Sequence, residues 1–331
     1  MFKTGFSKVQ AWRSCNKKYE FSVIRNLQAK RKPAQLLRGT ILHEMLEARD
    51  HQQRAGNLLL KASPGDIFLK YDTQYGRLFE AEREFYGENF MDDIWRIYRG
   101  YVRTWREGLW KVLATEGLVQ TQLTPKILFE GHYDLRVDFN SRRWLVDRKS
   151  HKVIPTAEER FNNFQLLLYV EAWNREHPAR KEEVHGIIWD YLRTKAPTIP
   201  ELLKGGQLTR RKDLDTDVHT YRKAIRDNDL DEEAYDYYLK ELAARSVDRF
   251  YQRVTLPIPS REMVDTVVQE FTQTAEMMRT AKHFPRNATY TCGRCEFFKL
   301  CNAELSGINA KFVEKSDYEQ RPEDTRDREA A

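Results

Sequence analysis

The 331-residue sequence predicts a mixed α/β protein. Stretches with helical spacing of apolar residues occupy much of the first third, whereas strand-like stretches lie near residues 125–150, 183–192 and 248–259. With 40% hydrophobic and 12% aromatic residues, the chain can bury a sizeable core. The composition is therefore that of one large domain, or of one domain with insertions.

Composition also limits the function classes. No apolar run approaches the roughly 18 residues of a membrane span, and the start "MFKTGFSKVQ" lacks the apolar stretch of a signal peptide, so we expect a cytoplasmic protein with no membrane partner. The net charge is +6, but 32% of residues are charged and both signs are interspersed. This balance permits nucleic-acid binding without requiring it, since a well-solvated surface has the same appearance.

The first 120 residues are predicted to be mainly helical. A short helix in "SKVQAWRSCNKKYEF" places Cys15 near its end, and a second helix covers residues 35–56. In this second helix His43 and Glu47 share one face at i, i+4 spacing. Residues 77–116 follow as two or more amphipathic helices.

Two strands joined by a polar turn at Asn140 and Ser141 are predicted to bring charged side chains together. If the turn is centred between those residues, Asp134 lies opposite Asp147, and Lys149 projects from the same face. Two facing carboxylates repel unless a proton or a cation lies between them. Two carboxylates and an ammonium group suit a Mg²⁺ or Mn²⁺ site for phosphodiester hydrolysis, although an Asp-x-Lys strand is also common on solvated faces.

A long helix is predicted over residues 155–178, with a capping box formed by Thr156 and Glu159. Gln165 and Tyr169 share one of its faces, where they can bond phosphate oxygens or stack on bases. The alternative is a half-buried tyrosine beside an exposed glutamine. The catalytic sheet and helix thus cover residues 121–192, and residues 195–246 are an insertion that is basic at its start and helical later.

Three of the four cysteines lie in "CGRCEFFKLC", as Cys292, Cys295 and Cys301, after a strand and a helix within residues 247–305. Clustered thiols in a reducing compartment are typical of metal sites. Three thiolates do not complete a tetrahedral site, and Cys15 is the one cysteine left. Zinc and a [4Fe–4S] cluster both accept four thiolates, and the spacing does not separate them. Buried thiols without a metal are the remaining alternative.

Taken in order, these segments resemble the PD-(D/E)xK nuclease superfamily, and within it the RecB-like branch that carries an iron–sulfur cluster. That branch includes AddB-type nuclease domains and CRISPR-associated RecB-like exonucleases, and similar proteins are frequent in bacteriophage genomes. The resemblance spans residues 7–301 and is carried by six segments, namely "SKVQAWRSCNKKYEF", "GTILHEMLE", "GHYD", "VDRKS", "QLLLY" and "CGRCEFFKLC".

The resemblance implies a restriction-endonuclease-like mixed β-sheet flanked by helices, with a helical N-terminal region and an iron–sulfur clasp. It also implies roles for individual residues. The catalytic residues would be Asp134, Asp147 and Lys149, and the ligands of Mg²⁺ or Mn²⁺ would be His43, Asp134, Asp147 and the Arg148 backbone carbonyl. Gln165 and Tyr169 would position DNA. A [4Fe–4S] cluster, in preference to structural Zn²⁺, would bind Cys15, Cys292, Cys295 and Cys301.

The expected function is therefore a metal-dependent DNA nuclease, an exonuclease on single-stranded ends in replication, recombination or repair. The resemblance implies a partner such as a helicase or recombination protein and, for a phage-encoded chain, a bacterial host cell. The alternative is a DNA-binding accessory subunit that keeps the scaffold without cleaving. We expect one nuclease domain over residues 1–305 and a flexible charged tail over residues 306–331.

Overall fold

A mixed sheet carries the fold of this protein. The computed structural model describes residues 1–54, 62–106, 109–161, 163–178, 183–245 and 247–322. Within these ranges six strands form the main sheet, and β2 and β8 form a separate antiparallel pair. The strands are β1 (Phe2–Thr4), β2 (Leu27–Ala29), β3 (Lys111–Thr124), β4 (Ile127–Phe139), β5 (Arg142–His151), β6 (Gly186–Arg193), β7 (Tyr251–Pro257) and β8 (Tyr318–Gln320). The predicted fold class, a mixed sheet flanked by helices, is confirmed.

Two different strands, β1 and β5, pair with the same edge of strand β4. Strand β3 pairs antiparallel along nearly the whole of β4. On the other edge, β1 pairs parallel with residues 127–129, and β5 pairs antiparallel with residues 135–139. Beyond β5 the order continues through β6, which is parallel to β5, to β7, which is antiparallel to β6. The sheet therefore opens along residues 130–134 of β4, where Asp134 lies.

The β4–β5 hairpin has the predicted register. Leu135 pairs with Val146, and the ladder ends at Phe139 and Arg142. The two turn residues, Asn140 and Ser141, have φ angles of 50° and 59°. Positive φ at both central residues is the geometry of the two-residue turn that matches the twist of paired strands, and Asn and Ser are short enough to adopt it.

Helices cover both faces of the sheet. Because successive side chains of a strand point to opposite faces, Tyr191 and Leu192 mark the two sides. Tyr191 packs in a core with α1, α8 and α12, whereas Leu192 packs with α3 and α6. The helices are α1 (Phe6–Ser14), α2 (Asn16–Tyr19), α3 (Ala34–Arg54), α4 (Pro64–Gly76), α5 (Glu80–Tyr86), α6 (Phe90–Thr104), α7 (Ala157–Phe161), α8 (Gln165–Glu176), α9 (Val218–Asp227), α10 (Asp236–Arg245), α11 (Val247–Phe250), α12 (Arg261–Thr280), α13 (Phe298–Leu305) and α14 (Ala310–Asp317).

Two helix predictions need correction. The helical region does not reach residue 120, because Lys111–Thr124 form β3. The predicted helix over 155–178 is two helices, α7 and α8, and the side-chain oxygen of Asn163 accepts a hydrogen bond from the Gln165 backbone at the start of α8. The predicted capping box of Thr156 and Glu159 is present. The predicted end of the second helix, at residue 56, lies outside the described residues.

The prediction of a flexible tail from residue 306 is wrong for residues 310–320. These residues form α14 and β8, and β8 pairs with β2 near the N-terminus. The Tyr318 ring stacks on Phe297, with ring centroids 5.6 Å apart, and is buried. One buried aromatic residue and an open strand edge thus order a segment whose composition is otherwise charged. Residues 323–331 lie outside the described part of the chain.

Residues 195–245 form helices α9 and α10 after an irregular start. These helices share a small core of their own, built around Tyr221, Tyr235 and Leu239. Among the described residues, none of the helices is both long enough and apolar enough to cross a membrane.

Candidate active site and cysteine cavity

His43 reaches the sheet from α3, which packs closely against β5. A Cβ atom at Gly39 would lie 2.6 Å from the Ser150 hydroxyl oxygen, so any larger residue at this crossing would require that hydroxyl group to move. His43 lies one turn further along the helix. The glycine of "GTILHEMLE" thus sets the close approach that brings the histidine to the open edge of β4.

His43 forms a cluster with two carboxylates, Glu116 and Asp134. Its Nε2 atom lies 3.2 Å from Glu116 Oε1 and 3.9 Å from Asp134 Oδ1. Among the residues the structure describes, this is the one group that brings three metal-ligating atoms of His, Cys, Asp or Glu within 4.8 Å of one another. An imidazole and two carboxylates at this separation can hold a divalent cation.

Glu116 was absent from the sequence prediction. It lies in β3 between Thr115, which pairs with Leu135, and Gly117, which pairs with Tyr133. It therefore stands opposite Asp134. Its φ angle of 48° is in the left-handed region, which is uncommon for a residue other than glycine. Had β3 been recognised as a strand, its pairing with β4 would have pointed to Glu116; no motif marks it.

Asp147 and Lys149 lie beside this cluster on β5. Lys149 Nζ is 2.6 Å from Asp147 Oδ2, and the Asp147 side chain is only 3% exposed. The Lys149 ammonium group also lies 5.8 Å from the centroid of the Trp189 ring. Glu47, which shares a helix face with His43, is directed elsewhere and pairs with His51 at 3.4 Å.

The site carries more negative charge than its own cations balance. Burial and the neighbouring Asp147 carboxylate raise the pKa of Asp134 to about 7. Burial by itself lowers the pKa of His43, but Glu116 and Asp134 outweigh burial and raise it to about 9. Burial by itself also lowers the pKa of Lys149, but the carboxylates of Asp147 and Asp134 outweigh burial and raise that pKa. Neighbouring carboxylates contribute to all three pKa shifts, and a bound divalent cation would offset their mutual repulsion.

Arg148 connects Asp134 to β5 through its main chain. Its backbone N–H donates a hydrogen bond of 2.5 Å to Asp134 Oδ2. Arg148 lies two residues beyond the last β4–β5 pair, Leu135 and Val146, and within a β-strand the N–H and C=O groups of one residue point to the same edge of the strand. The Arg148 carbonyl group therefore faces the open edge of β4, on the side of Asp134.

Gln165 and Tyr169 touch each other at the start of α8. Gln165 Nε2 donates a hydrogen bond of 2.8 Å to the Tyr169 hydroxyl. The Tyr169 ring is buried, and a Cβ atom at Gly131 would lie 2.2 Å from its Cε1 atom. Gly131, the glycine of "GHYD", thus leaves the space that the ring of Tyr169, the tyrosine of "QLLLY", occupies. A ring in this position offers no free face for stacking on a base, and its hydroxyl group interacts electrostatically with Asp147, Lys149 and Asp134.

The four cysteines line one cavity, although Cys15 is far from the others in sequence. This cavity, of about 410 Å³, is lined by all four thiols, and Cys15 ends helix α1 as predicted. All four are free and partly buried. No three of these sulfurs lie within 4.8 Å of one another. Tetrahedral zinc, with Zn–S bonds of about 2.3 Å, would require sulfurs about 3.8 Å apart.

Hydrogen-bond donors and cations surround the sulfur atoms. The backbone N–H of Asn287 points to Cys15 Sγ at 3.4 Å, and that of Thr289 points to Cys292 Sγ at 3.4 Å. Arg286 Nε lies 3.3 Å from Cys301 Sγ. The cavity is also lined by basic residues, which are Lys17, Lys18, Arg286 and Arg294. Such surroundings favour the negative charge of a metal–thiolate centre, whereas burial raises the pKa of the Cys295 thiol.

Comparison with known families agrees with the geometry of the site. A model of the PD-(D/E)XK nuclease superfamily matches residues 4–302, so the chain belongs to this superfamily. Its members use divalent metal ions, and the carboxylate and histidine cluster is suited to one. The predicted superfamily is confirmed.

Two solved structures are similar to the chain at low sequence identity. One is a "Putative exonuclease" from Eubacterium rectale, with 9% identity and a TM-score of 0.36, covering 72% of this chain and 81% of that one. The other is SSO0001, with 11% identity and a TM-score of 0.30, covering 80% of this chain and 96% of that one. A comparison with curated proteins finds no significant match.

Proposed function

We propose that this protein is a metal-dependent deoxyribonuclease whose active site lies where β4 opens between β1 and β5. The observation that carries the proposal is the meeting of His43, Glu116 and Asp134 within 4.8 Å, beside the paired Asp147 and Lys149. A divalent ion held there would activate water and neutralise charge on the scissile phosphate. Mg²⁺ and Mn²⁺ suit the oxygen-rich ligand set.

In this proposal some residues bind the metal ion and others orient its ligands. His43, Glu116 and Asp134 would supply ligand atoms, and Asp147 and the Arg148 carbonyl would supply further ones. Asp134 is oriented by the Arg148 backbone N–H, so its second oxygen stays directed to His43. This arrangement fixes the ligands before the ion arrives, which favours binding because little ordering remains to be done.

Lys149 acts as a charged donor. The neighbouring carboxylates raise its pKa despite burial, so its ammonium group stays protonated at neutral pH. A protonated lysine cannot accept a proton, but it can orient a water molecule or donate to a phosphate oxygen as negative charge develops. Its side chain is 31% exposed, which leaves it accessible to a DNA strand.

The RecB-like branch with a [4Fe–4S] cluster is the part of the superfamily to which we assign the chain. Support comes from the cavity shared by Cys15, Cys292, Cys295 and Cys301. The cluster binds each thiolate at a different iron and so needs sulfurs farther apart than one zinc ion does. No three of the four sulfurs lie within 4.8 Å of one another, and this separation, together with their N–H donors, favours the cluster over zinc.

The substrate we propose is DNA, attacked from single-stranded ends in replication, recombination or repair, as the resemblance to this branch implies. In this proposal Gln165 and the Tyr169 hydroxyl, which are hydrogen-bonded to each other, would contact the strand beside Lys149. A helicase or recombination protein would supply those ends. A single domain over residues 1–305 accords with these roles and stays a prediction.

Incubating anaerobically purified protein with 5′- and 3′-labelled single- and double-stranded DNA, with and without Mn²⁺, tests the proposal. We expect Mn²⁺-dependent shortening of single strands from an end, which is lost in Asp147→Asn and Lys149→Ala. Lys152→Ala, an exposed lysine at the end of β5, is the matched control and should stay active. DNA that is retained but left intact with Mn²⁺ would instead identify a non-cleaving accessory subunit.

A further inference from the structure

A buried network of ion pairs lies behind the candidate active site. It is centred on Arg148, which is 7% exposed, and includes Asp50 and Asp190, which are 1% and 0% exposed. Arg253 and Tyr101 complete it. Two carboxylates and two guanidinium groups give a neutral set, which is the condition under which charges persist in an interior.

Arg148 forms hydrogen bonds to Asp50 through two of its guanidinium nitrogen atoms. One bond joins Nη2 to Asp50 Oδ1 at 3.1 Å, and Nη1 binds Asp50 Oδ2. Its Nε atom lies 3.5 Å from Asp190 Oδ2. Asp190 in turn pairs with Arg253 at 3.3 Å and accepts a hydrogen bond from the Tyr101 hydroxyl. The planar fork of arginine fits this two-point contact, and lysine does not.

Arg148 therefore acts on both sides of β5. Its backbone N–H holds Asp134, and its side chain holds α3 at Asp50. Asp50 lies seven residues after His43, two helical turns along the same face of α3. Helix α3 also passes close to β5 at Gly39, so His43 lies between this crossing and Asp50.

We propose that the Asp50–Arg148 pair is a positioning brace that sets the separation of His43 from Asp134, and so the metal affinity of the site. This inference rests on the proposed nuclease function. Arg148, the middle residue of "DRK", then has the role of positioning α3 relative to β5. Asp50 has a role in the same contact that no motif assigns to it.

The choice of charged residues supports positioning rather than stability. A buried ion pair often contributes no more than an apolar pair of similar volume, because desolvation offsets the attraction. An apolar pair would fill the same space without fixing an angle or a distance. A bidentate pair fixes both. The brace thus differs from an apolar contact mainly in the precision it gives to α3.

The double variant Asp50→Leu/Arg148→Met separates the two roles. It removes both charges together and leaves Asp190 paired with Arg253, so we expect its thermal stability to stay close to that of the wild type. Mn²⁺ binding to the metal-free active site, measured by electron paramagnetic resonance without DNA, should weaken about 10-fold or more, as for other residues that orient metal ligands. In cleavage, kcat should fall while KM for DNA stays within about twofold.

Asp215→Asn is the control, since Asp215 pairs with Arg193, Lys195 and Arg249, outside the brace. It should bind Mn²⁺ as the wild type does. Wild-type Mn²⁺ affinity and kcat in the double variant would overturn the brace while leaving the nuclease function standing. A wild-type protein that neither binds Mn²⁺ nor cleaves DNA would overturn both. If the double variant does not fold, Arg148→Lys decides, with weakened Mn²⁺ binding expected and unchanged binding contradicting the brace.

Discussion

At the scale of single residues, the candidate site combines side chains that a sequence pattern can identify with one that it cannot. Asp147 and Lys149 are found from one strand, and Asp134 from the register of a two-residue hairpin. His43 is found only through the order of motifs, since a histidine on a helix has no distinguishing pattern. Glu116 cannot be identified from the sequence, because its position opposite Asp134 depends on a strand with a weak hydrophobic pattern and on a left-handed backbone angle.

Glu116→Gln tests whether this residue is a metal ligand. The change keeps the shape of the side chain but removes a charge, so Mn²⁺ affinity should fall about 10-fold or more. In the metal-free protein the pKa of His43 should fall, because Glu116 contributes to raising it. Titration calorimetry with Mn²⁺ and an NMR titration of the His43 ring measure the two effects. Glu47→Gln, on α3 but paired with His51, is the matched control, and equal affinities of the two variants would contradict the assignment.

Gly131→Ala tests the contact between the "GHYD" strand and the tyrosine of α8. A new Cβ atom 2.2 Å from Tyr169 Cε1 has no room, so we expect a loss of about 1–3 kcal/mol in the free energy of unfolding. In a Tyr169→Leu background the loss should shrink, because the ring that clashes is absent. A double-mutant cycle by urea unfolding measures this coupling. Strictly additive losses would show that the clash is relieved by other means.

At the scale of elements, the strongly patterned segments were predictable and the weakly patterned ones were not. The β4–β5 hairpin has a buried face and a turn that suits its residues, so its register was confirmed. Strand β3 was missed because Val119 is its one fully buried residue, and its other positions are half-buried or exposed. Strand β8 was missed because three residues pairing with a distant strand leave no local pattern.

An ion-pair cluster fastens the end of β6 to the loop before α9. Asp215 accepts two hydrogen bonds of 2.9 Å from Arg193 and one of 3.0 Å from Lys195. The hydrogen bonds from Arg193, above all, lower the pKa of Asp215 to about 2 against burial, and its side chain is 18% exposed. Because the folded state holds the ionised form more strongly than the unfolded chain does, the cluster stabilises the fold above the ordinary aspartate pKa.

Asp215→Asn should therefore destabilise the protein in a pH-dependent way. A pKa of 3.8 in the unfolded chain and about 2 in the folded state corresponds to about 2 kcal/mol at neutral pH. This difference from wild type should persist down to about pH 4 and disappear as the pH falls towards 2. Urea unfolding at several pH values measures it. Asp213→Asn, in an exposed pair with Arg211, should cost almost nothing, and a pH-independent loss in Asp215→Asn would contradict the argument.

At the scale of the whole molecule, the two ends of the described chain meet. Strand β8 pairs with β2, and Tyr318, Phe297 and Phe21 share one small core. Cys15 and the three later cysteines meet at a cavity that borders this core, since Phe21 and Phe297 line both. The pairing of Cys15 with a distant cluster was predictable by elimination, whereas the β2–β8 contact was not, because it depends on backbone pairing without a sequence signal.

Cys15→Ser tests whether the cysteine cavity holds the ends together through a metal centre. Wild-type protein purified anaerobically should absorb near 400 nm, about where thiolate-to-iron charge transfer falls, and should lose thermal stability when the iron is removed. The variant should absorb weakly, and its stability should hardly change on iron removal, because a centre that binds only the folded state stabilises it in proportion to its binding. The two metal-free proteins should unfold at similar temperatures, since serine replaces a half-buried thiol with little change in volume. A variant that retains full absorbance would remove Cys15 from the ligand set, and a colourless, zinc-loaded wild type would replace the cluster with zinc.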